Sequence, residues 1–213
     1  MMDSELFMNY GEWLEQQTMP KGKKAVLKAG IELFAQYGFD GTSTSQIATQ
    51  AGVSQATIFK YFKTKEALLM AIIEPIIRNL GPVIRDDFYQ DLNQQTSLET
   101  VIHFIVHDRY QFFKENAKVV EILLGELLIN ESIRQLLIQL VTNSQTVITN
   151  SVLNGLIQNQ LVAPELTIID LVRTIIGQLI TYFIQKQLFA TETTDEAADL
   201  AKIEMLIIKA VSK

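Results

Sequence analysis

The chain has 213 residues and a mass of 24.1 kDa, which suits one large domain or a small domain joined to a larger one. Hydrophobic residues make up 48% and charged residues 20% of the chain, which excludes a disordered protein. With no Cys, disulfides, thiolate metal sites and Cys nucleophiles are also excluded. The net charge of −6, taken alone, argues against a nucleic-acid partner, because phosphate binding relies on Lys and Arg.

The N-terminal residues do not resemble a signal peptide. The longest charge-free stretch, residues 135–164, contains too many amide and hydroxyl side chains to lie in hydrocarbon. We therefore expect a soluble cytoplasmic protein with no membrane partner.

Apolar residues recur mainly at three- and four-residue spacing, which predicts an all-α fold of about nine helices. The predicted helices cover about residues 23–37, 44–51, 54–61, 64–81, 97–115, 117–128, 132–158, 164–189 and 194–211. N-terminal caps are predicted at Thr44 or Ser45, Ser54, Thr64, Thr96 with Glu99, and Thr194 or Asp195. Helix ends are predicted at Gly38, Gly52 and Gly81–Pro82, and Pro164 is expected at the first position of a helix. Pro75 predicts a kink or an early end of the fourth helix.

Residues 1–20 form a separate acidic extension with four acidic residues and no basic one. Leu6, Tyr10, Trp13 and Leu14 share one helical face, so the extension is either a short docked helix or a mobile tail.

Residues 21–65 contain three short predicted helices with a sharp Gly52 turn between the second and third, the pattern of a helix-turn-helix. Ile47, Ala48 and Ile58 are expected to face inward. The same segment has seven Lys against one Asp and one Glu, a net charge of +5, whereas residues 1–20 carry −4 and residues 66–213 carry −7. A three-helix bundle with a solvated polar face is the alternative, and the concentrated basic charge favours nucleic-acid binding instead.

Two stretches, Ala29–Thr44 (AGIELFAQYGFDGTST) and Ala51–Leu68 (AGVSQATIFKYFKTKEAL), with Ile47-Ala48 between them, resemble the start of a TetR-family transcriptional regulator. The resemblance covers about residues 21–70, and the rest of the chain matches only in its helical layout. It implies a homodimer that places two recognition helices in successive major grooves of a near-palindromic double-stranded DNA operator. We accordingly predict a DNA-binding domain over residues 21–65 and a helical effector-binding and dimerisation domain over residues 66–213.

The family's DNA contacts carry over to positions at and around the third helix. The resemblance implies phosphate contacts for Thr42, Thr44, Tyr61 and Lys65. It implies contacts with bases or adjoining phosphates for Gln55, Ala56 and Thr57. Lys60 stands where the family often has His, which strengthens phosphate binding and leaves the base preference open. The Lys21–Lys24 cluster is either an arm along the DNA backbone or a solvated group.

The helix expected over 164–189 is apolar nearly all round and must be covered on both sides. With the last helix it resembles the family's two-fold dimer interface, and a buried core helix of a monomer is the alternative. The predicted interface residues are Val172, Ile176, Gly177, Ile180, Ile203, Leu206 and Ile207.

The expected effector is a small, largely apolar molecule of unknown identity. The residues predicted to bind it are His103, His107, Tyr110, Asn143, Arg173, Gln178 and Tyr182. His103 and His107, four residues apart, are either a polar pocket wall, part of a solvent-facing stripe or a metal pair. Because only distant carboxylates could complete a metal site, we expect no metal and no cofactor.

The sequence thus predicts a repressor released from its operator by the effector. An activator or a ligand-independent DNA-binding regulator remains an alternative, and a helical metal-binding enzyme is a weaker one. We expect no enzyme, because Glu99 lies four rather than three residues from His103 and no nucleophile or phosphate-loop motif occurs.

Overall fold

The computed structural model describes residues 9–80, 97–143, 155–157, 161–188 and 195–213. Within these ranges the chain forms helices and turns with no strand, which confirms the predicted all-α fold. The helices with assigned bounds are α1 (Tyr10–Gln16), α2 (Lys21–Tyr37), α3 (Thr44–Ala51), α4 (Gln55–Tyr61), α5 (Lys65–Leu80), α6 (Leu98–Glu115), α7 (Ala117–Leu127), α8 (Glu131–Asn143), α9 (Ile168–Leu188) and α10 (Glu196–Val211).

These helices belong to two compact units. The N-terminal unit contains α1 to α5 together with α7 and α8, and the C-terminal unit contains α6, α9 and α10. Each unit is described by itself below.

Helix α2 is the central element of the N-terminal unit, because it packs against α3, α4, α5 and α7. Its buried residues, among them Val26 and Phe34, recur at helical spacing and form one apolar stripe. At Gly30, an added Cβ would lie only 3.0 Å from the Cδ1 atom of Ile72 on α5. Glycine at this position therefore allows α2 and α5 to cross closely.

The helix-turn-helix consists of α3, a turn and α4. Gly52 ends α3 in the left-handed conformation, at φ 66° and ψ 33°, which agrees with the predicted turn. Ser54 caps α4 as predicted, since its hydroxyl accepts from the Thr57 N–H at 3.2 Å. The cap of α3 is Ser43, so the prediction of Thr44 or Ser45 is wrong. Ser43 is the cap because the side-chain oxygen of Gln46, three residues on, accepts from the Ser43 N–H at 2.8 Å and completes a capping box.

The acidic extension contains a docked helix, α1, which resolves one of the two alternatives left by the sequence. Tyr10 and Leu14 on this helix are 3% and 1% exposed. The backbone N–H of Tyr10 donates to Oδ1 of Asn116 at 2.7 Å. Leu6, the first of the four residues expected on the docking face, lies outside the described residues.

Pro75 lies inside α5, which continues to Leu80, so the predicted early end does not occur. Proline has no N–H, and the carbonyl of Ala71, four residues earlier, loses its helical donor. The Tyr10 hydroxyl donates to this carbonyl at 3.5 Å. Burial of the Tyr10 side chain raises the pKa of its phenol, so the hydroxyl stays a donor even in alkaline solution. Helix α1 thus compensates for the hydrogen bond that Pro75 removes.

Several other boundaries differ from the predicted ones because local caps outcompete sequence signals. Helix α6 is capped by Ser97, whose hydroxyl accepts from the Thr100 N–H at 3.2 Å, whereas the predicted cap Thr96 lies outside the described residues. Helix α9 begins at Ile168 rather than at Pro164, since Thr167 and Asp170 form a reciprocal cap. The predicted Gly81–Pro82 stop and most of the helix expected over 144–158 also lie outside the described residues.

The C-terminal unit is built on the packing of α9 against α10 and on aromatic contacts with α6. The rings of Phe113 on α6 and Phe183 on α9 meet edge to face, with centroids 5.8 Å apart. Leu179, Ile203 and Ile207 are buried in the same unit. Asp195 caps α10 by accepting from the Ala198 N–H, as the sequence predicted.

The Tyr10 hydroxyl provides a direct test of how α1 stabilises the N-terminal unit. We expect Tyr10→Phe to lower the free energy of unfolding by about 1 kcal/mol, because the Ala71 carbonyl then has no donor. Tyr37→Phe is the matched control, because the Tyr37 side chain is 52% exposed. Urea denaturation of the full chain measures both variants. Equal stability of wild type and Tyr10→Phe would contradict this role of α1.

Candidate functional site

The predicted recognition helix, α4, presents a polar face. Gln55, Ala56 and Lys60 are exposed and Thr57 is half-buried, whereas Ile58 is 1% exposed and anchors the helix from below. Because α4 is only seven residues long, this single buried residue and the preceding turn fix its orientation. The side chains of Gln55, Ala56 and Lys60 are short or end in an amide or ammonium group, which suits contacts with base edges and phosphates. Phe59 on the same helix is apolar and 43% exposed.

Two further predicted residues lie beside this face. The Gln55 amide donates to the Thr44 hydroxyl at 3.5 Å, which joins the first residue of α4 to the first residue of α3. Tyr61, at the end of α4, lies against α2. A Cβ on Gly22 would stand 3.3 Å from the Tyr61 hydroxyl oxygen, so glycine leaves room for this phenol beside the start of α2.

Thr42 does not take part in an exposed surface. Its side chain is 2% exposed, and its hydroxyl donates to the carbonyls of Gly38 at 2.8 Å and Leu33 at 3.1 Å. The predicted phosphate contact by the Thr42 side chain is therefore corrected. The hydroxyl instead joins the end of α2 to the loop before α3.

Lys65 has a similar internal role. Its ammonium donates to the carbonyls of Phe39 at 2.8 Å and Thr42 at 3.0 Å, and lies 4.2 Å from the centre of the Phe39 ring. Two of its three N–H groups are thus used inside the protein. Lys65 fixes the loop that leads to α3, which is a different position from the outward one that the resemblance implied.

The lysines of the segment 21–65 divide into paired and unpaired groups. Glu15 of α1 accepts hydrogen bonds from the ammonium groups of Lys28 and Lys24, and these bonds lower the pKa of the Glu15 carboxyl. Lys24 also donates to the Glu15 carbonyl at 2.6 Å, so it cannot act freely as part of a basic arm. The acidic extension therefore neutralises part of the basic charge counted in the sequence.

Lys21, Lys60 and Lys63 are exposed and form no ion pair within the part of the chain that the structure describes. Lys63 was not singled out in the sequence, although it stands two residues beyond Tyr61. Lys63 is identified by its exposure and by the lack of an ion pair among the described residues, and both depend on the fold.

The comparisons with known proteins bear on this helix-turn-helix. The family model described as bacterial regulatory proteins, tetR family, matches residues 26–72, from within α2 into α5. Over residues 26–72 the chain is therefore similar to the TetR family of regulators. It is 45% identical to the HTH-type transcriptional regulator RutR of Escherichia coli strain K12 over 69 residues, which are 31% of this chain and 32% of RutR. The matched segment thus spans about a third of that relative's length.

Two solved TetR-like structures share the fold along most of the chain. The fatty acid degradation regulator FadR of Bacillus halodurans has a TM-score of 0.71 at 20% identity, covering 91% of this chain and 97% of FadR. FadR of Bacillus subtilis, solved in complex with stearoyl-CoA, has a TM-score of 0.60 at 17% identity, covering 87% and 95%. The relatives named here are regulators rather than enzymes.

In the C-terminal unit, the polar stripe of α6 faces acidic residues of α10. His103 and His107 lie at 3.1 and 2.9 Å from the Glu204 carboxylate. The Tyr110 hydroxyl lies 3.3 Å from Glu196. Burial and, to a smaller extent, the Glu196 charge raise the pKa of the Tyr110 phenol. These contacts account for the stripe as a seam between helices.

The remaining predicted effector residues are not all gathered at this seam. Tyr182 is buried with its ring 5.1 Å from Tyr110, and its hydroxyl donates to Asp199 at 3.0 Å. Arg173 is ion-paired with Asp170 on its own helix and Gln178 is exposed, so neither meets the two tyrosines within the described residues. The side chain of Asn143 lies outside the described residues.

The predicted dimer residues also divide into two groups. Ile203 and Ile207 are 7% and 0% exposed inside the protomer, so their prediction as interface residues is corrected to core residues of the C-terminal unit. The residues left accessible on α9 and α10 are, in contrast, half-buried Val172, Ile176 and Ile180 and exposed Gly177 and Leu206. Ile169 and Met205, not predicted, are 72% and 45% exposed.

The segment Ile168–Gln187 of α9 has the length and the apolar composition of a membrane-spanning helix. The core helices of water-soluble proteins can have the same length and composition. Only 28% of the most apolar window of α9 is buried inside the protomer. An apolar surface of this extent requires a cover.

Proposed function

We propose that this protein is a DNA-binding transcriptional regulator, a homodimeric repressor that leaves a palindromic operator when it binds a small, largely apolar effector. The observation that carries the proposal is the exposed face of α4, where Gln55 and Lys60 project from a helix anchored by buried Ile58. The match of residues 26–72 to the TetR family model supports it. As a soluble regulator of DNA, the protein would act in the cytoplasm.

In this proposal, the side chains at and near α4 divide into those that contact bases and those that contact phosphates. Gln55, Ala56 and Thr57 face bases or adjoining phosphates at the start of the helix, where an amide can bond to a base edge. Lys21, Lys60 and Lys63 neutralise phosphates, and Thr44 and Tyr61 contribute hydroxyl donors. Thr42 and Lys65 contribute indirectly, because their bonds to backbone carbonyls hold the loop in front of α3.

A second copy of the chain is the proposed cover for α9. The exposed or half-buried residues of α9 and α10 form a largely apolar surface, and the exposed Gly177 would allow another helix to approach closely. A two-fold axis through this surface would repeat α4 once and match a palindromic operator. A membrane is a poor alternative, because Asp170 and Arg173 lie in the first turns of the helix.

The proposed effector is a small molecule with a large apolar part. Regulation then follows from linkage: an effector that binds better to the DNA-incompetent state lowers DNA affinity, and DNA lowers effector affinity by the same factor. The stearoyl-CoA bound to the Bacillus subtilis FadR makes long-chain acyl-CoA the first probe to use.

The unpaired lysines provide the test of DNA binding. We expect Lys60→Gln and Lys63→Gln each to reduce the slope of log affinity against log salt concentration by about 0.9, because each loses one phosphate contact. Lys118→Gln is the matched control, since Lys118 pairs with Glu32 at 2.5 Å. Fluorescence anisotropy with duplex DNA at several salt concentrations measures the slopes. An identical slope in all four proteins would contradict the proposed DNA-binding face.

The proposed dimer is tested through Leu206, which is 49% exposed. Leu206→Glu would place a charge twice in a two-fold interface, so we expect a monomer at micromolar concentration while the wild type is a dimer. Ile138→Glu is the control, since Ile138 is 54% exposed on α8. Sedimentation equilibrium distinguishes the species, and a monomeric wild type would rule out this interface.

The effector class is tested on the protein–DNA complex. Long-chain acyl-CoA is expected to lower DNA affinity by about fivefold or more, the lower range of allosteric coupling, whereas free CoA leaves it unchanged. Anisotropy of the labelled duplex measures the release. If neither acyl-CoA nor the corresponding fatty acid changes the affinity, an apolar effector of this class is excluded.

A further inference from the structure

A cluster of metal-ligating side chains lies at the seam between α6 and α10, within the C-terminal unit. It consists of His103 and His107 on α6 and Glu204 on α10. Nδ1 of His103 lies 3.1 Å from both carboxylate oxygens of Glu204, and Nε2 of His107 lies 2.9 Å from one of them. The three ligand atoms lie within 4.8 Å of one another. We refer to these residues as the His–His–Glu cluster.

The helix periodicity explains why the two imidazoles converge. Residues four apart project from the same face of a helix, and the two rings have centroids 4.3 Å apart. These are the only histidines of the chain, which has no cysteine. Glu204 follows His103 by 101 residues, so the sequence alone did not indicate the carboxylate that completes the set.

The distances suit a metal ion. Ligand atoms about 2.0–2.1 Å from a tetrahedral Zn²⁺ lie roughly 3.3 Å apart, close to the separations between the imidazole nitrogens and the Glu204 oxygens. A metal ligand is an unprotonated ring nitrogen, so in the metal-bound state Nδ1 of His103 and Nε2 of His107 would carry no proton and the other nitrogen of each ring would hold it.

The cluster is also accessible from solvent on one side and anchored on the other. The side chains of His103 and His107 are 60% and 44% exposed, whereas that of Glu204 is 17% exposed. A groove of about 400 Å³, lined by both His103 and Glu204, adjoins it. An ion could therefore enter without unfolding the seam, and water could occupy its fourth coordination position.

We propose that the His–His–Glu cluster is a binding site for a divalent transition metal ion of the Zn²⁺ class. Two imidazole nitrogens favour such an ion over Mg²⁺ or Ca²⁺, which prefer oxygen ligands throughout. The bound ion would cross-link α6 to α10 in the C-terminal unit. His103 and His107, which the sequence placed in the effector site, are thereby assigned to a metal ion instead.

The test uses Zn²⁺ alone with the full chain, freed of any purification tag and treated with a chelator. Isothermal titration calorimetry is expected to show one Zn²⁺ per chain, and the melting temperature is expected to rise with Zn²⁺ concentration. His103→Ala, His107→Ala and Glu204→Gln should each weaken binding by about tenfold or more, because even the loss of an outer-shell partner costs that much. Mg²⁺ should not compete.

Glu196→Gln is the matched control. Glu196 also joins α10 to α6, through its ion pair with Lys114 at 2.7 Å, but it is two helical turns from Glu204. Unchanged Zn²⁺ affinity in Glu196→Gln shows that losses elsewhere do not arise from a loosened seam.

Three results would overturn the proposal. One is the lack of saturable Zn²⁺ binding, which would leave the cluster as a hydrogen-bonded contact only. Another is Zn²⁺ affinity that persists in the variant lacking both histidines. The third is full affinity in Glu204→Gln, which would remove the carboxylate from the site.

Discussion

The apolar stripe of α2 is the constraint on which the candidate DNA-binding face depends. Helix α2 contacts α3, α4, α5 and α7, so its buried side chains determine where the short helix α4 lies. A seven-residue helix has little stability of its own and takes its position from such packing. Polar contacts then refine the arrangement. Thr42 and Lys65 donate to backbone carbonyls and fix the loop before α3. In α5, the Tyr10 hydroxyl donates to the Ala71 carbonyl, which has lost its helical donor at Pro75.

Helical periodicity was sufficient to predict the all-α fold and the inward positions of Ile47, Ala48 and Ile58, because burial follows directly from spacing. It could not show where individual polar side chains point. Thr42 turns inward because two carbonyls lie within reach of its hydroxyl, a fact of the folded loop. The start of α3 was missed for a related reason, since Ser43 is favoured as the cap over Thr44 and Ser45 by its reciprocal hydrogen bonds with Gln46. Glu204 beside the histidines is a contact across about a hundred residues, which no local pattern encodes.

The distribution of charge also changes once the fold is known. The net charge of −6 conceals a basic segment at residues 21–65, and that segment is in turn partly neutralised by Glu15 of the acidic extension. The cations left for a polyanion are those near α4 and at the start of α2. A small set of unpaired lysines gives weak binding to any duplex, so sequence preference in this account must come from the uncharged residues at the start of α4.

The central claim is that α4 reads DNA twice through a symmetric dimer. Selection of bound duplexes from a random pool, with wild type and Gln55→Ala side by side, tests it most directly. The account predicts that the wild type enriches a two-fold symmetric sequence with half-sites about one helical turn apart, roughly 34–36 Å, and that Gln55→Ala changes the preferred bases within each half-site. Failure of the wild type to enrich any sequence, or the same enriched bases in both proteins, would contradict it.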